Sequence, residues 1–137
     1  QRRVSGPLLD RIDIFVDVPR VPYEKLNSLR AGEESAAIRQ RVVTARRAQQ
    51  ERFRGLRRVH CNAAMRSREV QKFCALNTAA QDILRLAMTE LHFSARAYDR
   101  ILKVARTIAD LAASEVIRPE HVQEAIQYRL LDRQLWV

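Results

Sequence analysis

The spacing of apolar residues divides the chain into a short opening segment and a longer helical part. Residues 12, 14, 16 and 18 are apolar. The residues between them are polar except Phe15, and Pro19 ends the run. This alternation predicts one β-strand over residues 12–18. No second strand of similar quality follows. Because a lone strand leaves its backbone unpaired, we expect it to belong to a sheet elsewhere, or else to be disordered, folded back on the helices or paired with another copy.

From Pro22 onward apolar residues recur every three or four positions, which predicts helices. A short helix is expected near residues 23–29, a long one near 34–53, and two more near 66–73 and 78–91. The clearest helix follows Ser94, a good N-cap residue, and the last begins at Pro119, which suits a first helical position. The predicted fold class is therefore mainly α, a helical bundle preceded by one short β-strand.

Two of these helices have predicted core faces. The face of the long helix consists of Ile38, Val42, Ala45, Gln49 and Phe53. The face of the helix after Ser94 consists of Tyr98, Ile101, Leu102, Ala105, Ile108, Ala109 and Ala112.

Composition restricts the class of protein. Apolar residues make up 47% of the 137 positions and charged residues 30%, as in a globular domain. No run approaches the roughly 20 apolar residues of a membrane span, and no signal peptide is evident. Cys61 and Cys74 have no metal-ligand spacing. We therefore expect a cytoplasmic protein with reduced cysteines, no metal site and no membrane contact.

The net charge of +9 predicts attraction to polyanions, either nucleic acid or nucleotide phosphates. Eight arginines lie between Arg39 and Arg58 against one acid, Glu51, and Arg46 and Arg47 are the candidates for DNA phosphate contacts. In the alternative interpretation these arginines cover the edge of the core with their aliphatic stems. Few aromatic residues are interleaved with them, so base stacking is not indicated.

Arg96 is the first candidate for nucleotide binding. It lies in the first turn of the helix after Ser94, where the helix dipole disfavours a cation. A phosphate at this helix end would reverse that preference, and Arg100 and Lys103 on the same side could also contact phosphate. The alternative is an exposed arginine on a solvated face.

Arg11 is the second candidate. Gly6 and Pro7 predict a turn, and two leucines after them predict a buried anchor that would hold Arg11 at the start of the strand. An arginine held there could reach a phosphate on a neighbouring subunit, where phosphoryl transfer needs positive charge. The alternative is a surface ion pair with Asp10 or Asp13, which would contribute little.

Several strings resemble the ComM/YifB family of magnesium-chelatase-like AAA+ ATPases, in family order. They are Ser5-Gly-Pro-Leu-Leu-Asp-Arg-Ile-Asp13, Gln49-x-x-Arg52-Phe53, Cys61-Asn62-Ala63, Leu91-x-x-Ser94 through Leu111, and His121 through Arg129. The resemblance implies that residues 1–20 end an AAA+ core and that residues 21–137 form a helical lid domain. It also implies that Arg11 is the arginine finger, acting on the adjacent subunit, and that Arg96 is the sensor-2 arginine.

What the resemblance implies for the whole protein goes further than this chain. It implies a ring of identical chains, expected to be a hexamer, that uses ATP and Mg²⁺ and acts on DNA. The chain has no Gly-x-x-x-x-Gly-Lys-Ser/Thr phosphate loop and no acidic Walker-B strand. We therefore expect this chain alone neither to hydrolyse ATP nor to hold a cofactor. Two rival functions stay open: a magnesium chelatase subunit, and a non-enzymatic basic domain that binds DNA or protein.

Overall fold

The computed structural model describes residues 11–23 and 32–134, the last four through their backbone alone. Within these ranges it contains five α-helices, one turn of 3₁₀ helix at Asn62–Ala64, and no β-sheet. The helices are α1 (Ser35–Arg52), α2 (Ser67–Phe73), α3 (Thr78–Glu90), α4 (Ala95–Leu111) and α5 (Pro119–Gln134). The predicted mainly α fold is therefore confirmed.

Local hydrogen bonds determine where α3 and α4 begin. The Asn77 side chain accepts the Ala80 N–H at 2.9 Å, and Ser94 Oγ accepts the Ala97 N–H at 3.2 Å, so each caps the helix that it precedes. The predicted helix near residues 23–29 lies outside the described residues except at its first position.

The central helix is α4, which packs against α1, α2, α5 and the 3₁₀ turn, while α3 packs against α5. Its fully buried residues include Ile101, Ala105 and Ala109, which belong to the same buried core as Val122 and Ala125 of α5. Small side chains at these positions bring the two helix backbones close together. The core therefore surrounds α4, the helix that carries Arg96.

The strand predicted for residues 12–18 is not present in the part of the chain that the structure describes. The segment is extended but pairs with no other strand there, and Val16 and Val18 are 66% and 82% exposed. Phe15, the residue that breaks the alternation, is half-buried, and its N–H donates to the Tyr128 carbonyl at 3.0 Å. Because no sheet edge is available there, the segment folds back on the bundle instead.

The predicted core faces are correct in part. Ala45, Gln49 and Phe53 are buried as predicted, whereas Ile38 and Val42 are 43% and 46% exposed. On α4 Tyr98 is exposed, and Ala112, which caps the end of α4, is exposed as well. The buried face of α4 instead includes Val104 and two charged residues, Arg106 and Asp110. The prediction for α4 was partly wrong because it counted apolar residues only, whereas two charged residues of α4, Arg106 and Asp110, pair inside the core.

Candidate functional site

Arg96 lies in the first turn of α4 and is exposed. It forms no hydrogen bond or ion pair with any residue that the structure describes. Ser94 Oγ accepts the Ala97 N–H, which is one of the four N–H groups that the start of a helix leaves without an intrahelical partner. The first turn therefore offers an unpaired guanidinium beside a positively polarised helix end, an arrangement suited to an anion.

The other two basic residues on this side of α4 are already in use. The Arg100 guanidinium pairs with the Asp13 carboxylate, and Lys103 Nζ donates to the Ala63 carbonyl at 3.3 Å. The structure therefore separates the three cations that the sequence groups together. Arg96 alone of the three keeps its charge available in the described part of the molecule.

Arg11 is exposed at the beginning of the described segment and has no partner among the described residues. The turn predicted at residues 5–10 to hold it lies outside them. The alternative ion pair between Arg11 and Asp13 is not formed, because Asp13 pairs with Arg100. The segment after Arg11 is held by Arg129, which is 1% exposed and donates from Nη1 to the Ile12 carbonyl.

A buried polar cluster joins α1 to α4, and we call it the α1–α4 junction. Asp110, whose side chain is 1% exposed, accepts two hydrogen bonds from Arg52, one of them at 2.8 Å. It also accepts from Arg106 Nε at 3.2 Å and from Asn62 Nδ2 at 2.8 Å. Asn62 Nδ2 donates as well to Thr107 Oγ1 at 3.0 Å. One carboxylate thus serves two guanidiniums from different helices.

The other polar groups of the α1–α4 junction also have hydrogen-bond partners. The Asn62 N–H donates to Gln49 Oε1 at 3.1 Å, and Arg106 donates to the carbonyls of Ser114 and Glu115 at 2.6 and 2.8 Å. Burial lowers the pKa of the Arg106 guanidinium, and the neighbouring Asp110 carboxylate opposes that effect. Every group is thus bonded within the fold, so these arginines build structure and are not available to a ligand.

The net positive charge lies elsewhere, on residues 39–72. Of the 25 basic and 16 acidic residues of the chain, this stretch holds 11 and two, so the remainder carries 14 of each. We call its exposed side chains the basic surface. Six arginines on it have no partner among the described residues: Arg39, Arg46, Arg47, Arg57, Arg58 and Arg68.

Other candidate chemistry is limited. The described residues contain no group of three or more His, Cys, Asp or Glu side chains placed to hold a metal ion. In the same part of the chain no helix is long and apolar enough to cross a membrane. Cys74 is buried, and this burial raises the pKa of its thiol to about 11. Arginine chemistry therefore dominates the site.

Comparison with known proteins identifies the family. The sequence profile described as "Magnesium chelatase, subunit ChlI C-terminal" matches residues 32–129, which include the α1–α4 junction and Arg96. The chain belongs to this family. Arg11 precedes the matched residues.

Individual relatives support the ComM/YifB resemblance. The chain is 42% identical over 134 residues to an uncharacterized protein, YifB, of Escherichia coli, and equally to the competence protein ComM of Haemophilus influenzae. An uncharacterized protein of Mycobacterium tuberculosis is 35% identical over 129 residues. The first two matches cover 97% of this chain, yet the chain spans only about a quarter of the length of these relatives, at 26% and 25%.

Sequence reasoning missed two features that the structure reveals, the α1–α4 junction and the anchoring of residues 12–15. A signal for both existed. Arg129 lies three residues after Ile126 and seven after Val122, and so falls on the buried face of α5. Arg106 and Asp110 fall in the same way on the buried face of α4, four and eight residues after Leu102. A charged residue at a core position predicts a buried partner.

Proposed function

We propose that this chain is the nucleotide-sensing helical lid of a ring-forming AAA+ ATPase, preceded by the end of its ATPase core. Membership of the magnesium chelatase family supports the ATPase class. The observation that carries the proposal is Arg96: an exposed guanidinium at the start of the central helix of the bundle, with no partner among the described residues. In the whole protein Arg96 contacts the nucleotide of its own subunit and couples its hydrolysis to movement of the lid.

Arg11 has the complementary role in this proposal. It acts as the arginine finger and reaches the γ-phosphate bound by the adjacent subunit of the ring, expected to be a hexamer. A guanidinium there stabilises the charge that develops on the transferred phosphoryl group, an effect worth roughly 10³–10⁵ in turnover in related chemistry. Its exposure and its lack of a partner among the described residues are what this role requires.

ATP and Mg²⁺ belong to the whole protein in this account. Arg11 and Arg96 fit a triphosphate, because both are exposed cations without a partner among the described residues, and guanidinium groups bind anionic oxygens. They do not fit Mg²⁺, which is bound by oxygen ligands. We assign to this chain the sensing and stabilisation of phosphate charge, and we assign the holding of the metal to other parts of the protein.

Separate Arg11→Ala and Arg96→Ala substitutions in the whole protein test these roles. Both variants are expected to assemble normally, because both side chains are exposed, and to lose most ATP turnover. Turnover and particle mass are measured on the same preparations. Normal turnover in either variant would refute the role of that arginine.

We further propose that the ring acts on DNA and that the basic surface contacts its phosphates. The concentration of the whole net charge within residues 39–72 supports a polyanion as the partner, and unpaired arginines are suited to phosphate oxygens. One relative is named a competence protein, ComM, which is compatible with the same partner. Work on a porphyrin, as in magnesium chelatase, is the rival for the same ATPase.

A third possibility, a non-enzymatic DNA-binding domain, is favoured by the same charge concentration. Titration of this chain with duplex and single-stranded DNA at two salt concentrations distinguishes a non-enzymatic DNA-binding domain from an ATPase lid. Tight, salt-dependent binding by the chain alone would support the non-enzymatic domain. No binding would leave the lid as the better explanation, with DNA contact requiring the assembled ring.

A further inference from the structure

We propose that a pocket on the basic surface holds one unpaired DNA base, of a kind that carries an exocyclic amino group, such as cytosine. The pocket lies between α2 and the turn that follows α1. Five residues line it: Leu56, Arg68, Glu69, Lys72 and Phe73. This inference rests on the DNA contact proposed above. It adds a preference for single strands and for the identity of a base, which contacts with phosphates alone do not provide.

Leu56 is an apolar residue that is exposed beside cations. It is 42% exposed, whereas Phe53 and Val59 on either side of it are 3% and 6% exposed. Arg57 and Arg58 follow it directly, and both are exposed without a partner among the described residues. A nucleotide combines an apolar base surface with a negatively charged phosphate. An exposed leucine next to two such arginines therefore suits a nucleotide of DNA.

The turn that carries Leu56 is fixed by its backbone. Gly55 has a φ of 84°, a left-handed conformation that favours glycine, and the Leu56 N–H donates to the Phe53 carbonyl at 2.9 Å. Phe53 packs edge to face with Phe73 of α2, and their ring centroids are 5.5 Å apart. Because the turn is held against α2 before any ligand arrives, little ordering is needed when one binds.

The cavity between this turn and α2 has a volume of about 230 Å³. Pockets for drug-sized molecules occupy roughly 300–1,000 Å³, so this cavity can take one ring of a base or a single side chain. Lys72 Nζ lies over the Phe73 ring, 5.1 Å from its centre. Since a cation already covers that ring, the base makes its apolar contact with Leu56, and stacking between aromatic rings is not required.

Cations are present on both elements that form the pocket. Arg68 and Lys72 are four residues apart, which places them one turn apart on the same side of α2. Arg68 is exposed and has no partner among the described residues. On the turn, Arg57 and Arg58 follow Leu56. The phosphates before and after an inserted base can therefore both be neutralised.

Glu69 is the one acidic residue that lines the pocket. Its Oε2 accepts the Arg66 N–H at 2.9 Å, and its Oε1 has no partner among the described residues. A carboxylate accepts a hydrogen bond from the amino group of cytosine, whereas thymine presents a carbonyl oxygen at the same position. Glu69 therefore favours cytosine over thymine.

An acidic peptide with an apolar side chain is the other ligand that suits cations beside a leucine. The Glu69 carboxylate would repel the acidic groups of such a peptide, whereas it attracts the amino group of a base. The basic surface also holds the whole net charge of the chain, as a contact with a polyanion requires. These observations together favour a base.

Binding of three DNA molecules of equal length to the whole protein tests the inference. They are a single strand of deoxycytidine, a single strand of thymidine, and a duplex, all at neutral pH. The two single strands have the same backbone, so a difference between them reports the base. The unaltered protein should bind the deoxycytidine strand about three- to tenfold more tightly, the effect of one hydrogen bond to a base edge. Tighter binding of the thymidine strand would overturn the inference.

Glu69→Gln tests the base preference. Glutamine can still accept the Arg66 N–H, because Glu and Gln both serve at this position of a helix start. Its amide group then offers a donor to the carbonyl oxygen of thymine. The readout is the ratio of the two single-strand affinities, since the lost negative charge favours every DNA alike. This ratio should fall to about one or reverse, and an unchanged ratio would overturn the inference.

Leu56→Ala tests the apolar contact. It should weaken binding of both single strands by about three- to tenfold and leave the duplex unaffected, where the bases are paired and stacked. Leu86→Ala on α3 is the matched control, because Leu86 is 63% exposed and lies outside the basic surface. Both variants should keep the melting temperature. Equal behaviour of the two variants, or an equal loss on the duplex, would overturn the pocket.

The outcomes separate this inference from the proposal on which it rests. If the whole protein bound none of the three DNA molecules, the proposed DNA contact would be refuted, and the pocket with it. If DNA bound but the pocket variants behaved as the control does, the pocket alone would be refuted. A peptide of alternating aspartate and leucine is the probe for the rival ligand. Peptide binding that Leu56→Ala abolishes, with DNA binding unchanged, would assign the cavity to a protein partner and overturn the inference.

Discussion

The α1–α4 junction and the basic surface use the same residue type in opposite ways. In the junction, Arg106 is buried, Arg52 is partly buried, and both bond to the Asp110 carboxylate. On the basic surface, arginines such as Arg46 and Arg47 are exposed without partners among the described residues. Guanidinium groups whose hydrogen bonds are made within the protein hold helices together, whereas exposed guanidinium groups without such bonds are available to bind a ligand. The burial of an arginine, and not its presence in a basic sequence, therefore indicates its role.

The largest expected effect is loss of the shared carboxylate. Asp110→Ala leaves two guanidiniums in the interior without their counter-ion, and removing one partner of a buried pair costs about 3–5 kcal/mol. Urea unfolding followed by circular dichroism measures the free energy of unfolding. The matched control is Asp82→Ala on α3, whose carboxylate pairs with Arg85 while 57% exposed. It should cost at most about 1 kcal/mol. Equal losses in the two variants would remove the contrast between buried and exposed pairs.

A smaller effect concerns the thiol next to the junction. Burial raises the pKa of Cys74 from the ordinary value of 9.0 to about 11, although Arg106 and Arg52 lower it somewhat. The folded chain thus keeps the thiol proton at pH values where the unfolded chain releases it. The contribution of Cys74 to stability is therefore complete below pH 9 and is lost as the pH rises through 11.

Alkylation at pH 8 checks this difference. Cys61 is half-buried, and its reaction with iodoacetamide should be at least about tenfold faster than that of Cys74. In a Cys61→Ser variant the remaining thiol should react only as urea unfolds the chain. Similar rates for the two cysteines in the folded chain would show that the interior beside the junction admits solvent.

The smallest effect on stability is expected from the basic surface. Replacing Arg46 and Arg47 together by Gln should change the free energy of unfolding by no more than about 0.5 kcal/mol, because both side chains are exposed. The logarithm of the binding constant for duplex DNA falls linearly with the logarithm of the salt concentration. This slope should become less steep by up to about 0.9 for each phosphate contact that is lost. Arg85→Gln on α3 should leave the slope unchanged. A slope unaffected by the double substitution would exclude Arg46 and Arg47 from DNA contact.

Much of the fold could be predicted from the sequence, because helix ends depend on nearby residues. Asn77, Ser94 and Pro119 each mark a helix start, and their effect needs no distant partner. The opening segment could not be predicted in this way. Its alternation favoured a strand, but the outcome depended on Arg129, more than a hundred residues away, which binds the Ile12 carbonyl.

The candidate site shows the same limit. Sequence position alone placed Arg96 at a helix start, where the structure has it. Nothing local indicated that Arg100 and Lys103 would be bonded, however, since their partners Asp13 and Ala63 lie in distant parts of the chain. The roles of Arg96 and Arg11 stay predictions until turnover is measured.

The central claim is that exposed Arg96 serves nucleotide chemistry and not the fold. The most direct test measures ATP turnover at saturating ATP and the melting temperature of Arg96→Ala in the whole protein, beside Arg85→Ala, another exposed helical arginine. Arg96→Ala should lose turnover by about 100-fold, as loss of one charge-stabilising group commonly does, with an unchanged melting temperature. Arg85→Ala should be normal in both. Equal turnover in the two variants would contradict the account.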